Sequence, residues 1–314
     1  MEEAIKTLLD SGNEALIAFT RRNLLGEEVN TEELWTLPRV KKILEKQQLN
    51  GSWIYPNRKA MLRSPTNYDQ YQTYKIIADL VEFYGLSKEH EAIRKAADYL
   101  FSFQTEEGEF RGMYGNQYSP NYSASITEFL IKAGYRGARI EKSLDWLLGM
   151  RQDDGGWAIP LRTRKKGLEA LNEKKTIEPD RTKPFSHLVT GIVLRPFSLI
   201  TAYRDDVKNA GILLAERVFT RDKYSDRAGV EYWTKFTFPY HWTDILSTID
   251  TLTMLGIKNH PKIFEIMRWF EKHKQENGIY QVNLMAGAKY IGAKYWITLQ
   301  YLNVLKRLTS CRQS

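Results

Sequence analysis

The densest group of chemistry-bearing side chains is FPYHWTDIL, residues 238–246, in which His241 and Asp244 stand three apart. On a helix that spacing puts both on one face. A histidine bonded to a carboxyl either keeps the acid poised to give a proton or orients it as a base, so these two are the candidate catalytic pair. Tyr240 and Trp242 flank them, and other parts of the chain deliver Tyr68 with Asp69, Tyr122, His187 and Tyr290. Aromatic faces stabilise cations without reacting with them. The seven residues Tyr68, Asp69, Tyr122, His187, Tyr240, Trp242 and Tyr290 are therefore expected to line a binding pocket, with Asp244 and His241 at its polar end. A plainer reading stands beside this one: the aromatic side chains fill the mouth of a helical array, and Asp69 and Asp244 cap helices.

Other chemistries are excluded by what is missing. The single cysteine, Cys311, sits in a polar tail, so neither an internal disulfide nor a thiolate zinc cluster can form. The histidines lack the tight helical spacing of a metal pair, and no Gly-rich phosphate loop or His-Glu-x-x-His run occurs. No metal and no cofactor are expected. The net charge of +8 has half its excess in residues 162–183, a stretch with no aromatic side chain for stacking on bases. Specific nucleic-acid binding is not expected; contact with an anionic membrane surface fits the charge. The stretch is read as a solvated, mobile insertion. The N-terminus lacks the basic start and apolar block of a signal peptide, which makes a cytoplasmic location the expectation.

The elements that must position these residues are written in a repeat. Gln48-Leu-Asn-Gly51-Ser-Trp53, Gln104-Thr-Glu-Glu-Gly108-Glu-Phe110, Gln152-Asp-Asp-Gly155-Gly-Trp157 and Gln275-Glu-Asn-Gly278-Ile-Tyr280 each place an aromatic residue two after glycine. Apolar residues fall eight and five positions before each glutamine, on one helical face. The pattern describes an outer helix stopped at a glycine that takes left-handed backbone angles, an aromatic ring folded back onto it, and then an apolar inner helix. Inner helices are expected over residues 75–84, 125–133 and 245–255. The long last interval has room for a degenerate unit, with a first helix at 210–219 and a turn at 221–229. Apolar residues all round the inner helices favour closure of the array. The expected fold is all-α, an α/α toroid of five or six hairpins over residues 40–307, with a leading helical segment at 1–39 and a polar tail at 308–314.

The turns QLNGSW and QDDGGW, with their variants QTEEGEF and QENGIY, resemble the QW motif of the terpenoid cyclase and protein prenyltransferase superfamily of α/α toroids. In that family the cavity is lined by the starts of the inner helices, where the polar and aromatic residues named above fall. The resemblance implies a hydrophobic, isoprenoid-like small-molecule partner held in a central cavity. The Asp-x-Asp-Asp motif of squalene-hopene-type cyclases is absent. Three functions are consistent with this: a terpenoid cyclase-like or prenyltransferase-like enzyme, a non-catalytic toroid that binds a hydrophobic ligand, and a carbohydrate-active enzyme with paired carboxylates on the same scaffold.

Overall fold

The computed structural model describes residues 1–57, 65–167, 170–171, 173–285 and 292–309. Its regular structure is helical apart from two dipeptide strands, so the all-α class holds. The chain divides into two compact units, residues 31–200 and residues 1–30 with 201–314. Helices α1 (Glu2–Leu9) and α2 (Glu14–Thr20) thus pack with the C-terminal part of the chain. The polar tail expected at 308–314 lies almost wholly outside the described residues.

The unit of residues 31–200 alternates amphipathic outer helices with inner helices. Its outer helices are α3 (Pro38–Leu44), α5 (Glu91–Phe101) and α7 (Ala138–Gly149). Helix α5 shows why they lie outside: Ala92, Ile93, Ala96, Ala97 and Leu100 are buried on one stripe, and the rest is largely polar. Between them run the inner helices α4 (Pro65–Tyr84) and α6 (Pro120–Lys132), followed by the short α8 (Pro160–Thr163) and the inner α9 (His187–Ser198). Every residue of α9 is buried, and α6 packs against α4, α7 and α9. The inner helices begin earlier than the apolar runs suggest, because proline at the first helical position, as at Pro120, pre-sets the backbone angle and loses no hydrogen bond. Tyr68, Asp69 and Tyr122 therefore sit within the first turns of inner helices.

The second unit repeats the pattern with α10 (Arg204–Glu216) and α12 (Pro261–Lys272) outside, and α11 (Ile245–Met254) and α13 (Ala293–Thr309) inside. Strand β1 (Lys235–Phe236) pairs in parallel with β2 (Asn283–Leu284). The degenerate turn falls where the sequence places it. The Asp222 N–H is bonded to the Ala228 carbonyl, and Trp233 donates from its indole to Thr220 O at 2.9 Å.

Each turn is closed by the same set of contacts. Gly51, Gly108, Gly155 and Gly278 all have positive φ, and three of them also lie against the backbone of a neighbouring helix. A Cβ on Gly51 would meet Lys95 O of α5 at 2.1 Å, one on Gly108 would meet Lys142 O of α7 at 2.3 Å, and one on Gly278 would meet Ala4 N of α1 at 2.6 Å. Helix α1 thus takes, at the last turn, the place that the next outer helix takes at the earlier ones. Glutamine does the stitching in the first unit. Gln47 Nε2 donates to Gly51 O and to Ala92 O of α5, and Gln104 Nε2 donates to Gly108 O and to Arg139 O of α7. In the first turn the residue in this role is Gln47, one before the Gln48 that the sequence pattern aligns.

The aromatic residues are sealed from both sides. Trp53, Phe110, Trp157 and Tyr280 are 3%, 0%, 0% and 1% exposed. Trp53 and Trp157 donate their indole N–H to the carbonyls of Ile43 and Leu147 in the outer helix before them. On the other side each aromatic residue gives its backbone N–H to a hydroxyl of the following inner helix: Thr73, Ser123, Thr190 and Thr298.

The basic stretch 162–183 is docked, not merely solvated. Gln117 and Asn116 donate from their side-chain amides to the carbonyls of Glu173, Lys174 and Lys175, and Gln152 donates to those of Asp180 and Lys183. Ala170 and Leu171 are buried, while most of the charged heads remain in solvent.

Replacing Trp157 by Ala removes the ring that seals α7 to α9 and strands the Leu147 carbonyl. The expected loss is about 3 to 5 kcal/mol, read as a lower midpoint in denaturant unfolding. A midpoint equal to the parent's would remove Trp157 from the set of sealing residues.

Candidate functional site

The first unit gathers tyrosines at the starts of α4 and α6. Tyr55 lies 5.0 Å from Tyr68 and 6.1 Å from Tyr71, centroid to centroid; Tyr71 lies 6.1 Å and Tyr74 6.1 Å from Tyr122; and Tyr114 lies 5.2 Å from Tyr122. Most of these pairs meet edge to face, the arrangement that aromatic quadrupoles prefer. Tyr74 is buried, and Tyr55, Tyr71, Tyr114 and Tyr122 are half-buried, so the cluster offers ring surface beyond what its own packing uses. The helical spacing from Tyr68 to Tyr71 and Tyr74 holds three of the rings on one stripe of α4. The structure thus joins Tyr68 to Tyr122 through Tyr55 and Tyr71, with Tyr74 against both Tyr71 and Tyr122; Tyr71 and Tyr74 are not among the expected wall residues. Their spacing in the sequence is the signal that could have found them.

Asp69 has a structural task at the edge of this cluster. Its carboxylate accepts the Tyr55 N–H at 2.7 Å, and its carbonyl accepts the Thr73 hydroxyl, so it latches the segment after the first turn to α4. His187 is buried at the first position of α9, directly after Ser186, whose hydroxyl accepts the Val189 N–H as helix cap.

The segment containing the candidate pair lies in the second unit. Asp244 is fully buried and is the N-cap of α11: its Oδ1 accepts the Ser247 N–H at 2.8 Å, while the Ser247 hydroxyl accepts the Asp244 N–H at 3.0 Å. This reciprocal box satisfies two orphan donors of the helix start. Asp244 is therefore a helix cap, and one that is shut away from solvent. His241 is half-buried, and its backbone N–H is held by the Thr237 hydroxyl at 3.1 Å. Tyr240 is buried edge-on to Phe238, whose ring stacks on Trp296. Trp242 has the Arg227 guanidinium 3.3 Å over its ring, so one of its faces already holds a cation. Tyr290 lies outside the described residues. The six described wall residues and the candidate pair are thus distributed over both units.

A buried acid absent from the sequence reading stands in the second turn. Glu109 is fully buried at the position occupied by Ser52, Gly156 and Ile279 in the other turns. Burial pushes its carboxyl up to about 7, against the pull of the Arg111 guanidinium bonded to it; Glu107 and Glu178 push the same way as burial. Arg111 also donates to Asn116 O and to the Thr176 hydroxyl of the basic stretch, and it lies over the Tyr118 ring. The Tyr118 hydroxyl donates to Glu107 at 2.9 Å. Glu109 therefore sets the charge balance of the joint that holds the basic stretch. The clue in the sequence is a charged residue in a slot that the repeat otherwise fills with small or apolar ones.

Among the described residues, no group of three or more histidine, cysteine, aspartate or glutamate side chains is placed to hold a metal ion. No helix among them is long and apolar enough to cross a membrane.

Residues 46–177 match the family model of the squalene-hopene cyclase C-terminal domain. This stretch, which contains the first three turns and the tyrosine cluster, is similar to that domain. No curated protein matches the chain. Among solved structures, a variant of the type II terpene cyclase MstE from Scytonema, in complex with the product merosterolic acid A, is 11% identical over 98% of each chain with a TM-score of 0.34. A second MstE variant, bound to geranylgeranyl dihydroxybenzoate, is 12% identical over 98% of this chain and 99% of its own, with a TM-score of 0.34. A protein from Actinoplanes is 13% identical over 89% of this chain and 99% of its own, with a TM-score of 0.30.

The raised Glu109 carboxyl has a direct consequence for stability. A folded-state value above the unfolded one means that its contribution is fully present below about pH 4.5 and is lost as pH rises toward about 7. In Glu109→Gln that loss is absent. The stability of the variant relative to the parent should rise between pH 4.5 and 7 and level off above, in urea unfolding followed at fixed temperature. A difference that stays constant across the window would show that Glu109 does not titrate there.

Proposed function

We propose that the protein binds a hydrophobic, isoprenoid-like small molecule against the tyrosine cluster and acts on it as a terpenoid cyclase-like enzyme. The observation that carries this reading is the run Tyr55, Tyr68, Tyr71, Tyr74, Tyr114 and Tyr122, six neighbouring rings within the stretch that matches the squalene-hopene cyclase domain. Such rings offer apolar area to a hydrocarbon chain and negative faces to positive charge that develops along it. They do not react with the cation, which is what a carbocation-handling site needs.

In this reading Asp244 is the proton donor and His241 sets its protonation state. Its full burial supports the assignment, since a carboxyl away from water transfers a proton to an alkene without competition from solvent. His187, Tyr240 and Trp242 are further candidate binding residues of this reading. The reaction adds the proton of the carboxylic acid to a terminal alkene carbon, the cation is passed along the chain by ring closure, and loss of a proton ends it.

A second reading is favoured by one specific feature. The Asp244 side chain is one half of a complete capping box, a structural task that accounts for its place at the helix start. On that account the protein binds the same class of ligand without transforming it. Membrane-surface contact and a cytoplasmic location fit both readings.

Incubation with squalene and with geranylgeraniol, followed by extraction and gas chromatography with mass detection, separates the two. Cyclised products from the parent that disappear in Asp244→Asn, with ligand still retained in native mass spectrometry, are the result expected of the enzyme. Retention without conversion by the parent indicates the binding protein. Tyr71→Ala should weaken retention about tenfold, as loss of one aromatic contact surface does, and failure of the parent to retain either isoprenoid would overturn the ligand class.

A further inference from the structure

A cavity opens at the first turn, and none of the tyrosines of the cluster is among its lining residues. It has a volume of about 520 Å³, within the range of small-molecule pockets, and it is formed by α3, the turn and the middle of α4. One flank is cationic. Arg39 and Lys42 lie one helical turn apart on α3 and Lys46 follows just past its end, so the three charges face the same side. The same cavity is also lined by the apolar Ile43, Trp53, Ile54 and Ile76. Among the described residues no carboxylate lines the cavity and none of the three cations forms an ion pair; Arg39 acts on the Asp79 carboxyl only at longer range. Ile54 is 48% exposed, an unusual amount for an isoleucine set beside a buried tryptophan.

We propose that this cavity is a binding site for a single anionic amphiphile, an alkyl or prenyl phosphate. Its phosphate would lie between Arg39, Lys42 and Lys46, and the first carbons of its chain on Ile54, Trp53 and Ile76. Either flank alone has a bland explanation, since exposed lysines solvate a helix and isolated exposed isoleucines are common. Their presence in the lining of one cavity is what selects a ligand with both a charged and an apolar part. Phosphate suits the charged flank because it accepts from several donors at once and carries enough charge to engage three cations. A cavity with an opening, in contrast to a flat face, selects one molecule over a bilayer surface.

Isothermal titration with monomeric dodecyl phosphate, below its critical micelle concentration, tests the site directly. Dodecyl maltoside and inorganic phosphate serve as probes of each half, and phosphatidylglycerol vesicles as the membrane arm. The expected result is saturable binding of dodecyl phosphate, weakened about tenfold or more in Lys42→Ala/Lys46→Ala and in Ile54→Asp, with circular dichroism unchanged because all three positions are exposed. Inorganic phosphate and dodecyl maltoside should each bind much more weakly. Equal binding of the non-ionic detergent, or insensitivity to the double lysine variant, would overturn the proposal. So would association with vesicles in the absence of monomer binding, which would make this face a membrane contact. None of these outcomes depends on the tyrosine cluster or on Asp244.

Discussion

The hydrogen bond from the backbone N–H of an aromatic residue to a hydroxyl on the next inner helix is the contact on which the repeat depends. It occurs at all four glycine turns, from Trp53, Phe110, Trp157 and Tyr280 to Thr73, Ser123, Thr190 and Thr298. A chain leaving a helix through a left-handed glycine has a backbone donor that must enter the core with its ring. An unpaired buried donor costs about 1 to 3 kcal/mol. A hydroxyl one helix away removes that cost and at the same time fixes where the inner helix sits. Two of these hydroxyls give their own protons back to their helix, Thr73 to Asp69 O and Thr298 to Lys294 O, so each of the two serves two backbone groups. With the glycine packed on a neighbouring backbone and the ring filling the gap, the turn fixes three segments against one another.

This explains how much of the fold could be read in advance. Glycine and the aromatic residue recur at a fixed spacing because both are bound to a local geometry, and they mark all four turns in the sequence. The hydroxyl partners do not recur at a fixed spacing, since loops of different length separate each ring from its inner helix. They are invisible to a motif search for that reason. Glutamine is intermediate. Its long side chain reaches the next outer helix from Gln47 in the first turn and from Gln104 in the second, but Gln152 turns to the docked basic stretch. The side chain is flexible enough for one position of slip, and Gln48 was aligned where Gln47 does the work. The early start of the inner helices was hidden too, because a polar, tyrosine-rich run reads as a loop until the proline at its head is taken as the start of a helix.

The candidate site was legible by residue type more than by role. Tyr68 and Tyr122 were singled out for chemistry and lie in one aromatic cluster. Asp69 and Trp242 have identifiable local partners, in the Tyr55 amide and the Arg227 guanidinium. Charge in the basic stretch suggested solvation, yet side-chain amides of Asn116 and Gln117 dock it through backbone carbonyls, a bond type that carries no signature in the docked sequence. Glu109 was passed over because an acid in a glycine turn looks like a surface residue; only the burial of that slot in the other three turns marks it as different.

The tyrosine cluster also depends on charges beneath it. Arg195 of α9 meets Glu128 of α6 at 2.7 Å, and Lys132 meets Glu128 at 2.8 Å and pairs with Glu82 of α4. Burial pushes Glu128 up, but Arg195 and Lys132 outweigh it and hold its carboxyl below the usual range. Such a network adds little net stability over a well-packed apolar core, because desolvation offsets most of the attraction. Its effect is on register: sliding α6 along α4 or α9 would strand a charge, at a cost of about 3 to 5 kcal/mol. Phe129, the neighbour of Glu128, stacks on Tyr74, and Tyr74 meets Tyr122. Burial, reinforced by Tyr71 and Tyr122, keeps the Tyr74 phenol well above its ordinary value and hence neutral. The rings are thus held in place by a polar layer that fixes the helices while remaining too deeply buried and too fully paired to react.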